Sequence, residues 1–385
     1  MPCRTLFLLS LATVIVLADL AAAEPQIPQV TSAMQEFVDK KEIAGAVTIV
    51  VTPENVAHLS AVGQADIAAN KPMTPDTIFW IASMTKPVTG VAIMMLQDEG
   101  KLSYEDPVEK YIPEFATLKT ADGKAYKLTL KHLLTHTSGL AEATGPESEA
   151  ARTLADLIPH YVKRPLQFEP GSKWQYCQSG INTLGRIVEV VSGQTLPEFF
   201  QKRLFEPLGM KDTTFYPNAE QQTRITKAYK VADGKLTEAA LAKIFDPKRP
   251  DHFPAANGGL FSTAADYGRF CQMLLNDGSL GGKQFLKPYT VKLMASVHSG
   301  ELKTGFTEGN AWGLGCCVVR QPQGVSAALS AGSYGHGGAF GTQAWIDPVK
   351  KIAYVLMVQR SNFPNSDNSD VRKNFQAAAA AALAQ

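Results

Sequence analysis

The chain has 385 residues, 45% of them apolar, and a formal charge of +1. That is enough for one large domain, or for a domain that carries an insertion. No basic or acidic block occurs, so nothing in the composition points to nucleic acid and none is expected as a partner.

The N-terminus reads as a secretory leader. Arg4 precedes an apolar run from Leu6 to Ala18, and Ala21-Ala22-Ala23 offers a small-x-small cleavage site after Ala23. The run is shorter than the ~20 residues that a membrane-spanning helix needs. The expectation is therefore a signal peptide over 1–23, a secreted or periplasmic mature protein, and no stable membrane span after cleavage. Four cysteines follow the leader: Cys177, Cys271, Cys316 and Cys317. Their spacing fits neither a disulfide framework nor a zinc site, and all four read as packing residues. Cys316 and Cys317, being adjacent, should point to opposite faces of a strand.

Thr31 to Lys41 has the pattern of an amphipathic helix, and Ala44–Val51 with Val56–Val62 that of a hairpin turned by Thr52-Pro53-Glu54-Asn55. Next comes Ile78-Phe79-Trp80-Ile81-Ala82, an apolar run read as a buried strand or strand end, leading into Ser83-Met84-Thr85-Lys86 and a buried helix over Val88–Gln97. Ser83 then sits where a helix begins, with Lys86 one turn on and on the same face. The positive end of the helix and the cationic neighbour both favour a serine alkoxide or a charged base beside it.

From about 95 to 290 the chain reads as helices and long loops. Helices are expected over Lys131–His136, Asn182–Val191 and Ala264–Asn276, the last with a capping box from Thr263 and Asp266. The tail returns to strands at Trp312–Arg320, Gln343–Ile346 and Ile352–Val358, and an alanine-rich helix over Val371–Leu383 closes it. Strands at both ends imply one sheet built from the two termini. A sheet subdomain is expected over 24–94 and 290–385, and a helical one over 95–289.

Two further stretches could join Ser83. Tyr176, just after Glu169-Pro170-Gly171-Ser172, can project a phenol into a cleft. A lysine ammonium nearby would lower its pKa and let the phenolate take the serine proton. Gly335-His336-Gly337-Gly338-Ala339 precedes the last two strands, and glycines at that density let a backbone approach a ligand closely.

Ser83-x-x-Lys86, then Tyr176-Cys177-Gln178, then His336-Gly337-Gly338, in that order, resemble the motifs of the serine β-lactamase superfamily. The likeness is to its class C β-lactamase-like branch, with family VIII esterases, D-aminopeptidases and D,D-peptidases. It runs from about Glu36 to Val358 and includes Leu130–Leu140, Pro207–Thr213 and Gly258–Thr263. It implies an α/β (α+β) fold of the penicillin-binding transpeptidase type, with an antiparallel sheet from the N- and C-terminal segments, flanked by helices, and an inserted, mostly helical domain. It also implies acyl transfer through an acyl-enzyme on Ser83. Lys86 and Tyr176 would share the acid–base work, with the base left open between them. The backbone N–H groups of Ser83 and Ala339 would form an oxyanion hole, and Gln178, His336, Gly337 and Gly338 would bind substrate. No metal or organic cofactor is implied.

Two departures stand out. Gln178 replaces the family's asparagine, and His336 replaces its Lys-Thr-Gly lysine. The second exchanges a permanent cation for an imidazole that is mostly neutral at pH 7. That argues against carboxylate-bearing substrates and for small carboxylic esters or D-amino-acid-type amides and esters. A peptidoglycan D,D-peptidase, a weak β-lactamase and a non-catalytic binding protein are the alternatives. Other motifs are decoys. Lys303-Thr304-Gly305 comes too early and lacks a strand signal. His132 and His136 lack the zincin glutamate. Ser279 and Ser333 lack the first glycine of a hydrolase elbow.

Overall fold

The computed structural model describes residues 26–384, and the leader expected over 1–23 lies outside them. Eight strands form one antiparallel sheet: β1 (Gly45–Val51), β2 (Val56–Asp66), β3 (Lys71–Pro72), β4 (Asn310–Trp312), β5 (Cys317–Val319), β6 (Tyr334–Gly337), β7 (Gln343–Asp347) and β8 (Ile352–Met357). Their order is β4-β5-β6-β7-β8-β1-β2-β3. The central contact therefore joins the two ends of the chain, with Val47 opposite Met357 and Ile49 opposite Val355. β1 is buried at every position. A continuous apolar run of that kind belongs to a strand covered on both faces.

One face is covered by two helices. The N-terminal helix α1 (Pro28–Asp39) buries Val30, Met34 and Phe37, and the C-terminal helix buries Val371, Phe375 and Ala379 at helical spacing. The other face carries α2 (Thr85–Asp98) and, from the middle of the chain, a helix over Ala264–Leu275. The missing side chain of Gly268 lets this helix lie on β1, since a Cβ there would come 3.0 Å from Ile49. The segment expected as a helical insertion thus includes one helix packed on the sheet. Thr263 Oγ1 caps it by accepting from Asp266 N at 3.1 Å. The reciprocal half of the expected box is absent: the Asp266 carboxylate accepts from Asp212 N and Thr213 Oγ1 instead.

The stretch Trp312–Arg320, expected as one strand, is two strands of a hairpin. Gly313 and Gly315 break it. A Cβ on Gly313 would lie 2.2 Å from Met294 O, and Gly315 has φ +82° and packs against Gly90 of α2. Cys316 and Cys317 fall on opposite faces, in separate apolar clusters, and all four described cysteines are free and buried. A second hairpin, Ala228–Ala232 with Lys235–Ala239, went unread in the sequence. Its turn is Asp233-Gly234, both at positive φ, the type I′ signature.

Substituting Gly315 by Ala should lower unfolding stability by about 1–3 kcal/mol, because the residue must hold positive φ against the Gly90 backbone. A urea midpoint shift with unchanged slope is the expected result, and an unchanged midpoint would contradict the packing described.

Candidate active site

The run Ile78–Ala82 contributes a two-residue ladder, Phe79–Trp80 against Phe261–Ser262, and does not join the main sheet. Ile81 N then donates to Leu260 O, and Ala82 turns the chain at φ +46°. That left-handed conformation costs a non-glycine residue about 1 kcal/mol. It feeds a 3₁₀ turn, Ala82–Met84, that runs directly into α2. Ser83 thus stands at the mouth of a helix whose residues 85–96 are all buried, and Lys86 within it is fully buried.

Lys86 Nζ has three oxygen neighbours: Asn257 O at 2.7 Å, Gln178 Oε1 at 2.8 Å and Ser83 Oγ at 3.1 Å. The first two can only accept. The third is a hydroxyl, free to accept from an ammonium or to donate to an amine. Both protonation states of Lys86 are therefore fully hydrogen-bonded. Desolvation favours the neutral one and lowers the lysine pKa to about 7, against a weaker upward pull from Glu142. The three acceptors oppose that shift by favouring the ammonium, so the amine is poised near neutrality.

Tyr176 precedes the helix Gln178–Ser192. His136, itself at φ +59° and buried, accepts from Cys177 N at 3.1 Å through Nδ1 and lies against the Tyr176 ring, with centroids 4.5 Å apart. Trp312 packs beside both, 4.9 Å from His136 and 6.0 Å from Tyr176. Lys86 Nζ lies over the Tyr176 ring, 4.6 Å from its centroid. The lysine therefore meets the π face of the ring, and its hydrogen bonds go to Ser83, Gln178 and Asn257. Burial pushes the phenol pKa well above its ordinary value, and the neighbouring Ser83 only partly offsets this. The expectation that a nearby ammonium would depress the tyrosine is corrected on that ground.

His336 Nδ1 lies 2.6 Å from Gly337 O, so it carries the proton, and Nε2 faces the Tyr176 hydroxyl at 3.4 Å. Burial, with Lys86 adding to it, lowers the imidazole to about 3. His336 and Gly337 line a small space behind Tyr176, whereas Ser83, Gln178 and Ala339 line an open cavity of about 410 Å³. At Gly337 and Gly338 the space that a Cβ would take is filled by protein: Asp367 and Gln343 at the first, Thr342 and Ile81 at the second. The backbone approach that these glycines allow is thus to the chain itself. Neither Ser83 N nor Ala339 N has a partner among the described residues.

Several neighbours were missed in the sequence. Asn257 supplies the carbonyl to Lys86, and its amide donates to Gln178 Oε1 at 2.8 Å. Glu142 lines the same cavity and accepts from Gln178 N at 2.6 Å and Ser179 N at 2.9 Å. Only topology brings these segments to Lys86, so no local pattern marks them. His132 and His136 are engaged in the protein, His132 as the reciprocal partner of the Thr129 cap.

A serine on a cavity wall, the buried lysine hydrogen-bonded to it from a helix packed against an antiparallel sheet, and a tyrosine ring against that lysine define a serine hydrolase of β-lactamase fold. The Beta-lactamase family description matches residues 30–379, and the chain belongs to that family. It is 34% identical over 359 residues to Protein Rv1367c of Mycobacterium tuberculosis, covering 85% of this chain and 88% of that one. It is 29% identical over 349 residues to Esterase EstB of Burkholderia gladioli, covering 83% and 86%. The solved structure of EstCE1, a hydrolase with promiscuous acyltransferase activity, superposes with a TM-score of 0.79 at 25% identity, covering 92% of this chain and 97% of that one.

Glu142→Ala frees two amides at the start of the Gln178–Ser192 helix. It should cost about 1–2 kcal/mol of stability, as loss of a helix cap does. Thermal unfolding that is unchanged would show that the carboxylate does not hold this helix.

Proposed function

We propose that the protein hydrolyses small carboxylic esters, or D-amino-acid-type amides and esters, through an acyl-enzyme on Ser83. The observation that carries this reading is the setting of Lys86, with two fixed acceptors and one hydroxyl around a buried amine. Neutral Lys86 takes the Ser83 proton as Oγ bonds to the substrate carbonyl carbon. The carbonyl oxygen gains charge and receives the free amides of Ser83 and Ala339. On collapse the ester C–O bond breaks, and the leaving alkoxide takes up the proton held by Lys86. Water then repeats the sequence on the acyl-enzyme and releases the acid.

Tyr176 acts as a neutral hydrogen-bond donor, since burial holds it protonated. Its O–H donates to His336 Nε2 while the leaving group is absent. Gln178 positions Lys86 and, through its amide nitrogen, is available to substrate.

Charge around the cavity favours neutral substrates. Glu142 stands on its wall, and His336, where a family lysine would be, is an uncharged imidazole. A penicillin or a D,D-peptide brings a carboxylate into that field, so the peptidase and β-lactamase readings are weaker. The non-catalytic reading leaves the poised amine unexplained. Action outside the cytoplasm rests on the leader-like residues 1–23; among the described residues no helix is long and apolar enough to cross a membrane.

Release of p-nitrophenol from p-nitrophenyl butyrate is the first test. Ser83→Ala should lower kcat by at least about 10³-fold, and turnover that survives moves the nucleophile elsewhere. For the wild type, kcat/KM should rise with pH and level off above an apparent pKa of about 7, because the base must be unprotonated. A profile that is flat from pH 5 to 9 would remove Lys86 from that role.

A further inference from the structure

A second cavity, of about 360 Å³, lies beside the one that holds Ser83. It is bounded by the hairpin Ala228–Ala239 and by residues 240–248. Trp80 lines both cavities. The indole is fixed, with Nε1 donating to Gly258 O at 2.7 Å, the Phe245 ring 4.7 Å away and the Phe340 ring meeting it edge-on at 5.0 Å. Phe340 directly follows Ala339, whose amide faces the reacting carbonyl in the mechanism above. The partition between the cavities is therefore aromatic and begins where a substrate's ester group would sit.

Most polar side chains of the second cavity are already satisfied, and the exposed Lys248 stands at its rim. Gln222 Nε2 donates to Pro217 O and Pro247 O, Gln359 Nε2 donates to Trp80 O, and Lys227 pairs with Glu238 at 2.8 Å. Ile225, Ala239, Leu241, Pro247 and the indole supply its apolar walls. A polar ligand would find few open partners there, whereas an apolar chain would release water from apolar walls at no polar cost. Each cavity alone is at the small end for a ligand site, and together they reach the middle of the usual range. One half of the partition is lightly held. Phe245 is half-buried on the single turn Lys243–Phe245, and Gln222 ties the segment to the body at Pro247.

We propose that the second cavity is a distal subsite for an apolar chain on the ester attacked by Ser83, reached past Phe245, so that the enzyme favours medium- and long-chain esters. The inference rests on the serine-esterase reading and shifts its preferred esters from small ones to those with a medium or long apolar chain. The chain could belong to the acid or to the alcohol, and the test separates the two.

The experiment compares kcat/KM for p-nitrophenyl decanoate with p-nitrophenyl acetate, and for decyl acetate with ethyl acetate. The wild type should favour the long member of at least one pair, each buried methylene being worth about fourfold. Ala239→Trp fills the second cavity and should lower that long-to-short ratio by about tenfold or more. Leu241→Trp should do the same, and it serves if the first variant does not fold. Phe245→Ala opens the partition and should raise the ratio. The pair whose ratio moves identifies acid or alcohol as the source of the chain. Turnover of short esters with ratios that neither filling variant changes overturns the subsite alone. Turnover of no ester by the wild type overturns both this inference and the esterase reading.

Discussion

Burying one amine is the constraint on which the rest of the structure depends. An unpaired ammonium withdrawn from water costs several kcal/mol, so a fully buried lysine persists only where partners surround it or where it gives up its proton. Lys86 does both in part. Two of its partners come from distant segments, Gln178 at the start of another helix and the Asn257 carbonyl in a loop, and the third, Ser83, from the turn that leads into its own helix. Glu142 holds the Gln178 amide, and Thr89 of α2 donates to Ala256 O, so the helix that carries Lys86 also fixes the loop that binds it. Loss of any one segment would leave the amine either unpaired or wet.

Tyr176 is held by a different kind of constraint. Its ring is walled by His136, Trp312 and His336, with the Lys86 ammonium over its face. Such walls exclude water, which keeps the phenol protonated and lets the lysine titrate near neutrality. Both shifts have one cause, and they have opposite signs because one group is an acid and the other a base. The dense glycines of β6 serve the same enclosure by letting Asp367, Gln343 and Ile81 close up behind the tyrosine.

The architecture was legible because its signals are local. β1 and β8 are continuous apolar runs, the helix over 264–275 opens on a Thr263 cap, and Ser83, Lys86 and Tyr176 lie within recognisable motifs. What escaped was either short or non-local. The Ala228–Ala239 hairpin carries an Asp-Gly turn signal but only five residues per strand, few of them buried, so its alternation is faint. The break at Gly313-Leu314-Gly315 depends on Met294 and Gly90, which no window around it contains. Asn257 acts through its carbonyl, so its side-chain identity advertises nothing. The reading of Tyr176 as a lowered acid failed because burial of the phenol outweighs a neighbouring charge, and the depth of that burial is set by distant residues such as His136 and Trp312.

The three basic groups of this enclosure also fix where a proton can rest. Lys86, His136 and His336 share one dry volume, and the lysine charge disfavours protonation of either imidazole. Lys86 stands near 7, His336 near 3, and burial holds His136 well below its ordinary value. In the proposed mechanism a proton leaving Ser83 therefore ends on Lys86, and not on His336, the hydrogen-bond partner of Tyr176. A permanent cation at position 336 would repel that same ammonium and push the lysine lower still, weakening it as a base. With a neutral imidazole there, one amine carries the proton, and the cavity presents no free cation to a substrate carboxylate. The proposed proton placement and the proposed preference for uncharged substrates thus rest on the same neutral imidazole.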